Sequence, residues 1–386
     1  MLDVDAIMAP WWERLRHDVG GLSLFDAHTH IGDDDPDGMR QTPDQLLAAL
    51  GRAGARGVVF PLHEPSGYPA ANDRVLEAAA ASGGRLVGFC RVDPHADAVA
   101  EARRCLDAGA RGIKLHPRAE RFTLGEPAVR DLVALADERR VCVLIHAGRG
   151  IPALGQDTVR LSGEFAGARL ILAHAAISDL AWLWRVLPEH PNLFVDTAWW
   201  NPSDLIALFT LVPPANILWA SDSPYGLPLT AATSHLRLAL QAGLGRAALR
   251  SIAGGQVERL VAGEQPADAG PPPGAPHALD PLLERTISHL AQACARTFAA
   301  AGVDEPVGLA RLACAVGEDG PHAPLFSALL GLLDAYEALL APPPPGQRYP
   351  VATRLLVAAA NLARTPDVPL PDLAATPPPV RARAEA

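Results

Sequence analysis

The chain has 386 residues, 49% of them hydrophobic, and a formal net charge of −10, so it can bury a large core but lacks the basic surface of a nucleic-acid-binding protein. No uninterrupted apolar run reaches about 18 residues, which argues against a membrane span. The five cysteines are widely spaced, as buried thiols in a reducing compartment are, and the N-terminus has no signal-peptide pattern. We therefore expect a cytoplasmic location.

Eight short apolar runs alternate with helical patterns between residues 22 and 222. The runs occupy residues 22–30, 57–62, 85–92, 112–116, 141–146, 169–174, 193–196 and 216–222. Helical patterns lie at residues 3–18, 44–53, 71–82, 97–108, 127–140, 157–166 and 179–187, and Asn201-Pro202 begins another. Runs that are apolar on both faces are typical of parallel strands covered by helices, so eight of them predict a (β/α)8 TIM barrel in the α/β class. A doubly wound open sheet is the alternative, but no G-x-G-x-x-G turn follows the first run.

A second, helical unit follows the predicted barrel. Two further helical patterns complete a barrel domain over residues 1–264, and the Pro/Gly-rich stretch 265–276 is typical of a linker. Apolar residues at three- and four-residue steps predict a small all-α C-terminal domain of unknown role over residues 277–365. Residues 366–386 are rich in Pro, Ala and Arg and are expected to be disordered.

Polar residues end most of the predicted strands. They are His28, His30, His63, Arg91, Lys114, His116, His146, His174, Asp196 and Asp222. The carboxyl ends of TIM-barrel strands form the mouth of the active site, and buried polar groups are costly unless they bind one another or a ligand. A single histidine at a strand end is more often a hydrogen-bonded core residue, but the whole series predicts a functional site. Within it, His28 and His30 share one strand face, so their imidazoles can converge on one metal ion.

Five segments carry a resemblance to a known family. They are Asp26-Ala27-His28-Thr29-His30, Gly112-Ile113-Lys114-Leu115-His116-Pro117, Ile145-His146-Ala147-Gly148, Leu172-Ala173-His174 and Ala220-Ser221-Asp222-Ser223-Pro224. In this ordered combination they resemble the amidohydrolase superfamily, specifically its amidohydrolase-2 branch of metal-dependent TIM-barrel hydrolases. The resemblance does not extend to the C-terminal helical unit.

The resemblance implies a metal site and two catalytic residues. His28, His30, His146 and Asp222 would hold one divalent cation per chain, Zn²⁺ or another divalent metal. Zinc at such a site lowers the pKa of water to about 7, and Asp222 would take the water proton. His174 would hydrogen-bond the substrate carbonyl or stabilise the developing oxyanion. The structural alternative for Asp222 is an N-cap in Ser-Asp-Ser-Pro.

Three more residues are expected around this centre, in contact with the substrate or behind the metal ligands. In some members of the superfamily the lysine that ends the fourth strand is carbamylated and bridges two metals. The context of Lys114 is similar to that of the one-metal members, so we expect it to contact the substrate or Asp26. Asp26 is expected to orient a metal ligand or to pair with Lys114. His116 would line the pocket or make a structural hydrogen bond.

Other residues have weaker claims on the site. Three residues near strand ends can contact an anionic group of the substrate or form ordinary salt bridges: His63, Arg91 and Arg149. Trp199-Trp200 can form an apolar wall of the pocket or pack in the core. The acidic loop from Asp33 to Asp37 lacks EF-hand spacing and is expected to be solvated. Histidines away from the strand ends, His235 among them, are expected at the surface.

The resemblance implies a metal-dependent hydrolase that cleaves an amide, ester or lactone carbonyl of a small molecule with a metal-activated water. The alternative on the same mononuclear site is a non-oxidative decarboxylase of a small carboxylic acid, because the branch includes both chemistries. A third hypothesis is a non-catalytic barrel that acts as a binding module. The expected partner is a small-molecule substrate, with no nucleic acid or membrane, and a homodimer is the default oligomeric state.

Overall fold

Nine parallel strands run through the part of the chain that this computed structural model describes, residues 3–274, 280–344 and 347–372. They are β1 (Leu24–Ile31), β2 (Ala55–Pro61), β3 (Leu86–Gly88), β4 (Cys90–Arg91), β5 (Gly112–Leu115), β6 (Cys142–Ile145), β7 (Arg169–Leu172), β8 (Leu193–Asp196) and β9 (Ile217–Leu218). Each strand pairs with its neighbour in sequence, apart from a break between β3 and β4.

The nine strands form an eight-membered closed barrel, because β3 and β4 together make the third member. Phe89, the residue between them, donates its backbone N–H to Val59 O at 2.9 Å, which keeps the two pieces beside β2. At the other seam, Ala27 N donates to Trp219 O at 3.0 Å and His30 N donates to Ser223 O at 2.8 Å. The predicted (β/α)8 TIM barrel is therefore confirmed, and the first strand lies beside the last.

Side chains of the strands alternate between the barrel interior and the layer under the helices. In β6, Cys142 and Leu144 belong to the interior cluster, whereas Val143 and Ile145 pack in the outer cluster against the helices. This alternation follows from the two-residue period of a strand, and it explains why the runs are apolar on both faces.

The barrel interior leaves no room for a side chain at Gly112. A Cβ atom there would lie 2.6 Å from the Phe89 ring, so the glycine makes space for that ring.

Sixteen α-helices surround and follow the barrel within the described residues. They are α1 (Val4–Val19), α2 (Pro43–Ala53), α3 (Pro69–Ala81), α4 (Ala98–Asp107), α5 (Pro117–Glu120), α6 (Pro127–Arg139), α7 (Leu154–Glu164), α8 (Leu180–Leu183), α9 (Pro202–Leu211), α10 (Pro228–Gln241), α11 (Arg246–Arg250), α12 (Gln256–Val261), α13 (Pro281–Phe298), α14 (Asp304–Cys314), α15 (Ala323–Leu339) and α16 (Thr353–Ala363). Helix α2 begins at a capping box, since Thr42 Oγ1 accepts from Gln45 N and Gln45 Oε1 accepts from Thr42 N.

Helices α13–α16 pack on one another as a small all-α unit that also contacts the barrel through α10 and α16. Arg237 of α10 has a buried guanidinium group that donates to Thr365 Oγ1, Val368 O and Pro369 O just after α16. These hydrogen bonds tie the end of the helical unit to the barrel wall.

The segments on either side of the helical unit lie only partly within the described residues. In the predicted linker 265–276, residues up to 274 run along the barrel, where Gly274 N donates to Thr210 O at 3.0 Å, and residues 275–276 lie outside the described part. Of the predicted disordered tail 366–386, residues 373–386 lie outside it. Residues 366–372 differ from that expectation, because Val368 is buried and its carbonyl accepts from Arg237. None of the described helices combines the length and apolar character that a membrane crossing requires.

Candidate metal centre

A cavity of about 310 Å³ opens at the carboxyl ends of the barrel strands. It is lined by seven of the residues singled out from the sequence as ligands, catalytic groups or their neighbours: His28, His30, Lys114, His116, His146, His174 and Asp222. The cavity brings together side chains from β1, β5 and the loops that follow β5, β6, β7 and β9, as the strand-end rule for TIM barrels predicts.

His28, His30 and Asp222 form the most compact group, with ligand atoms that all lie within 4.8 Å of one another. Asp222 Oδ1 lies 3.2 Å from His28 Nε2 and 3.1 Å from His30 Nε2. The other ring nitrogen of each histidine faces an acceptor: His28 Nδ1 lies 2.8 Å from Asp196 Oδ2, and His30 Nδ1 lies 3.4 Å from Pro61 O.

These hydrogen bonds fix the tautomers of both rings. Since the Nδ1 atoms donate to oxygen acceptors, the Nε2 atoms of the neutral rings carry lone pairs. Two nitrogen lone pairs therefore converge with a carboxylate oxygen of Asp222, three acceptors with no donor among them. These three acceptor atoms repel one another unless a cation lies between them. Nitrogen and oxygen ligand atoms of this kind suit zinc.

His146 adds a fourth lone pair to the same cavity, although it lies outside the compact group. His174 Nδ1 lies 2.7 Å from Ala198 O and must donate to it, so His174 Nε2 accepts from His146 Nδ1 at 2.9 Å. This leaves the Nε2 lone pair of His146 buried, with no hydrogen-bond partner in the described part of the chain. A buried nitrogen lone pair that lacks a hydrogen-bond donor fits a metal ion as its partner.

Asp222 and His174 have left-handed backbone conformations, with φ of 60° and 57°. This region costs a residue other than glycine on the order of 1–3 kcal/mol when held in place, and Asp and His enter it more often than most. At Asp222 the backbone N–H still donates to His28 O, at 3.0 Å, so the turn lies beside β1 with the Asp222 carboxylate next to His28 and His30.

Burial sets the protonation states of the centre. It lowers the pKa of His28, His30 and His146 well below its ordinary value, so these rings are neutral at pH 7 and able to bind metal. It also raises the pKa of Asp222 to about 6, a rise that the nearby His174 and Lys114 oppose.

Lys114 and Asp26 do not pair with each other, which was one of two alternatives for each residue. Lys114 Nζ is buried and has no hydrogen-bond partner among the described residues, and its closest ring contact is Phe60 at 4.9 Å. Asp26 Oδ1 instead accepts from the backbone N–H groups of His28 and Ser221, at 3.1 and 3.0 Å, so it orients the strand that carries His28. Burial raises the pKa of Asp26 to about 7, and burial, followed by the charge of Arg91, lowers the pKa of Lys114 to about 7.

His116 both lines the pocket and makes a structural hydrogen bond, the two alternatives that the sequence leaves open. Its Nδ1 accepts from Ala119 N at 3.2 Å and caps α5, while its ring lines the cavity and stacks on His146 at 3.8 Å. His174, predicted to contact the substrate, has both ring nitrogens engaged by Ala198 and His146.

The weaker candidates divide between the cavity and the protein interior. His63 and Arg91 line the cavity, and Arg91 pairs with the buried Glu120 at 2.7 Å; Arg149 is not among the lining residues. The Trp199 ring lies 6.3 Å from the His174 ring, and the Trp200 ring lies 5.3 Å from the ring of Phe298 in the helical unit. The expectation that His235 lies at the surface is wrong: it is buried, 3.0 Å from Thr197 Oγ1.

Several residues of the site were missed by sequence reasoning. The sequence places Asp196 at a strand end and predicts no role for it, yet its two oxygens accept hydrogen bonds from His28 Nδ1 and from the backbone N–H of His174. Asp35 and Asp37 line the cavity although their loop was expected to be merely solvated. Arg118 and Arg348 also line it, and no pattern in the sequence marks them.

Comparisons with known proteins identify the family and the fold. The family model described as Amidohydrolase matches residues 25–261, more than half of the chain, while no curated protein matches the sequence. The structure of 5-carboxyvanillate decarboxylase LigW from Sphingomonas paucimobilis is 17% identical, with 63% of this chain and 99% of that chain covered and a TM-score of 0.50. An uncharacterized TIM-barrel protein from Bordetella bronchiseptica is also 17% identical over the same shares, with a TM-score of 0.51. Both likenesses show the fold, and the family match adds membership: the chain belongs to the amidohydrolase family of enzymes.

Proposed function

We propose that this chain is a metal-dependent hydrolase that binds one divalent cation, with zinc as the expected ion, through His28, His30, His146 and Asp222. The observation that carries the proposal is the convergence of His28 Nε2, His30 Nε2 and Asp222 Oδ1 without a donor among them. The unsatisfied Nε2 atom of His146 supports it independently.

When bound, such a cation supplies two effects, a lowered pKa for water and polarisation of a substrate carbonyl. The residues around the cation would accept the proton, position the ligands and bind the substrate. Asp222 faces the two histidines with Oδ1, so its second carboxylate oxygen is the group that takes a proton from the attacking water. Asp196 keeps His28 in the tautomer that leaves Nε2 free, and His174 does the same for His146, so we assign His174 a positioning role. Lys114 Nζ, buried and without a partner in the described residues, is the donor available to a substrate oxygen.

A non-oxidative decarboxylase is the second candidate, and the four cationic side chains of the cavity favour it, although Asp35 and Asp37 also line it. Lys114, Arg91, Arg118 and Arg348 all line the cavity, and they would attract a carboxylate substrate. In that reaction the carbon–carboxylate bond breaks, carbon dioxide leaves, and the carbon takes a proton in its place. The cytoplasmic location and the homodimer expected from the sequence stay predictions.

Metal uptake and product analysis together test the proposal. The purified full-length chain should retain about one zinc per chain, and His28→Ala should lose it, because that change removes one of the converging lone pairs. His17→Ala, at an exposed histidine of α1, is the matched control and should retain zinc. Two equivalents per chain would reject the mononuclear design in favour of a carbamylated Lys114 between two ions.

Panels of lactones, esters and amides, and of aromatic and enoic acids, then separate the two reactions. We expect acid release with net addition of water and no gas. Release of carbon dioxide without addition of water would replace the hydrolase by the decarboxylase. Zinc uptake with no turnover on any substrate, together with cellular function that survives His28→Ala, would favour the non-catalytic binding module.

A further inference from the structure

The helical unit reaches the mouth of the metal cavity through the connection that precedes α16. Arg348 N donates to Met39 Sδ at 3.3 Å, and Arg354 Nη2 donates to Pro224 O at 2.7 Å. These contacts hold the connection against the loop that follows β1, and the first turn of α16 against the loop that follows β9. As a result, Arg348 lines the cavity although it lies outside the matched family region 25–261.

Arg348 is paired with a carboxylate that a ligand can replace. Its Nη1 lies 2.9 Å from Asp37 Oδ2, and the two side chains are 44% and 52% exposed. An ion pair this exposed contributes little and is screened by solvent, so another carboxylate can exchange with Asp37 at low cost. Within the described residues this carboxylate is the one in salt-bridge contact with Arg348.

A second guanidinium group, that of Arg118, lines the same mouth, at the start of α5. It makes no ion pair with any carboxylate of the described ranges. The phenol of Tyr349 lies near both cations: its ring is 5.5 Å from the Arg348 guanidinium carbon, and burial raises its pKa while Arg348 and Arg118 oppose the rise. Two positive groups therefore face the cavity at its rim, at a different place from the buried Lys114.

We propose that Arg348, carried by the helical unit, is a specificity-determining residue that, with Arg118, binds an anionic group at the end of the substrate remote from His28, His30 and Asp222. The substrate class is a small molecule, sized to a cavity of about 310 Å³, that carries a carboxylate besides its reacting group. Arg348 exchanges Asp37 for that carboxylate, since a planar guanidinium can hold a carboxylate by two parallel hydrogen bonds. The inference rests on the proposed function only for where the reacting end lies.

The test compares dicarboxylates with monocarboxylates on the zinc-loaded, full-length chain by isothermal titration calorimetry. The probes are glutarate, adipate and pimelate, each beside the monocarboxylate of equal carbon number, pentanoate, hexanoate and heptanoate. One carboxylate of each probe can occupy the metal end, so the preference for the dicarboxylate isolates the rim. At least one member of the series should show that preference, because the three chains span different lengths.

Two variants distinguish recognition from mere attachment of the helical unit. Arg348→Gln should weaken the binding of the preferred dicarboxylate about tenfold, because it removes a charged hydrogen-bond partner. The affinity for the monocarboxylate of equal carbon number should not change. Asp37→Asn should strengthen the binding of the same dicarboxylate, because it removes the carboxylate that competes for Arg348. The control Arg311→Gln breaks two partly exposed ion pairs inside the helical unit, with Asp334 and Glu337, and should change the affinity for neither probe.

If the Arg348–Asp37 pair only fastens the helical unit to the barrel, both variants break the same link and must act in the same direction. Equal effects of Arg348→Gln and Asp37→Asn, or equal effects on both probe classes, would overturn the inference. Zinc uptake by the same samples tests the proposed function separately. A chain that takes up no zinc but prefers dicarboxylates refutes only the metal chemistry, and one that takes up zinc without that preference refutes the role of Arg348.

Discussion

Gly148, two residues beyond His146, offers a direct test of whether His146 binds the metal. A Cβ atom at this position would lie 2.6 Å from His146 Nε2, about 1 Å closer than carbon and nitrogen atoms normally approach. The His146 ring cannot swing away freely, because it stacks on His116 at 3.8 Å and its Nδ1 is hydrogen-bonded to His174 at 2.9 Å. Gly148→Ala should therefore displace the lone pair of Nε2 or cover it.

The size of the effect follows from the short reach of a coordination bond. Zinc–nitrogen distances are about 2.0–2.1 Å, so a displacement of about 1 Å breaks the bond. Changes that merely disturb the groups behind a ligand cost about 10- to 100-fold in affinity. We expect Gly148→Ala to weaken zinc binding by at least that factor, or about 1.4–2.7 kcal/mol.

Competition with a chromophoric zinc chelator measures this affinity, and thermal melting of the metal-free protein measures any damage to the fold. Gly245→Ala is the matched control, since a Cβ there meets nothing within 4 Å and the backbone φ is −78°. If Gly148→Ala folds normally and binds zinc as tightly as Gly245→Ala, His146 is not a metal ligand and the four-ligand site is refuted.

Three other changes test the buried groups around the centre. Asp196→Asn should weaken zinc binding about 10- to 100-fold in the chelator titration, because a neutral amide holds His28 Nδ1 less firmly; unchanged affinity would contradict its positioning role. Glu120→Gln leaves the guanidinium group of Arg91 buried without its counter-charge, so urea unfolding should show a loss of about 3 kcal/mol, and a loss typical of exposed ion pairs would refute the cost assigned to that burial. The pKa of His235 is lowered to about 3 by burial, so the unfolded chain takes up the extra proton below pH 6.5 and stability falls as the pH falls. The stability advantage of the wild type over His235→Gln should therefore shrink by about 2 kcal/mol between pH 7 and pH 5, and a gap that does not change with pH would contradict this.

The barrel and its mouth could be predicted because they depend on local patterns. The run 141–146 is apolar on both faces, and β6 places its residues alternately inside and outside the barrel, as a covered parallel strand must. His28 and His30 were placed on one face by the two-residue period alone. The predicted last strand, 216–222, is longer than β9, which covers Ile217–Leu218; the residues after it keep only scattered hydrogen bonds to β1. Residue type also does not reveal the left-handed turn at Asp222, with φ of 60°.

Contacts between distant segments could not be predicted in the same way. Arg348 and Asp37 are separated by 311 positions, and each belongs to a polar stretch that is ordinarily solvated. Asp196 and His28 are 168 positions apart, and the role of Asp196 depends on which ring nitrogen faces it. The burial of His235 follows from the packing of α10 between the barrel and the helical unit, since α10 contacts α16 as well as α1 and α9.

The converging ligands have a mechanical consequence for the ring of strands. His30 and Asp222 are 192 positions apart and meet only where the first strand closes against the last. An ion bound by both residues would cross-link the first and last strands. At a free concentration one hundred times its dissociation constant, it would stabilise the closed barrel by about 2.7 kcal/mol. Metal binding and stabilisation of the barrel closure are then coupled. Amide hydrogen exchange at the first and last strands should therefore slow as the metal is added.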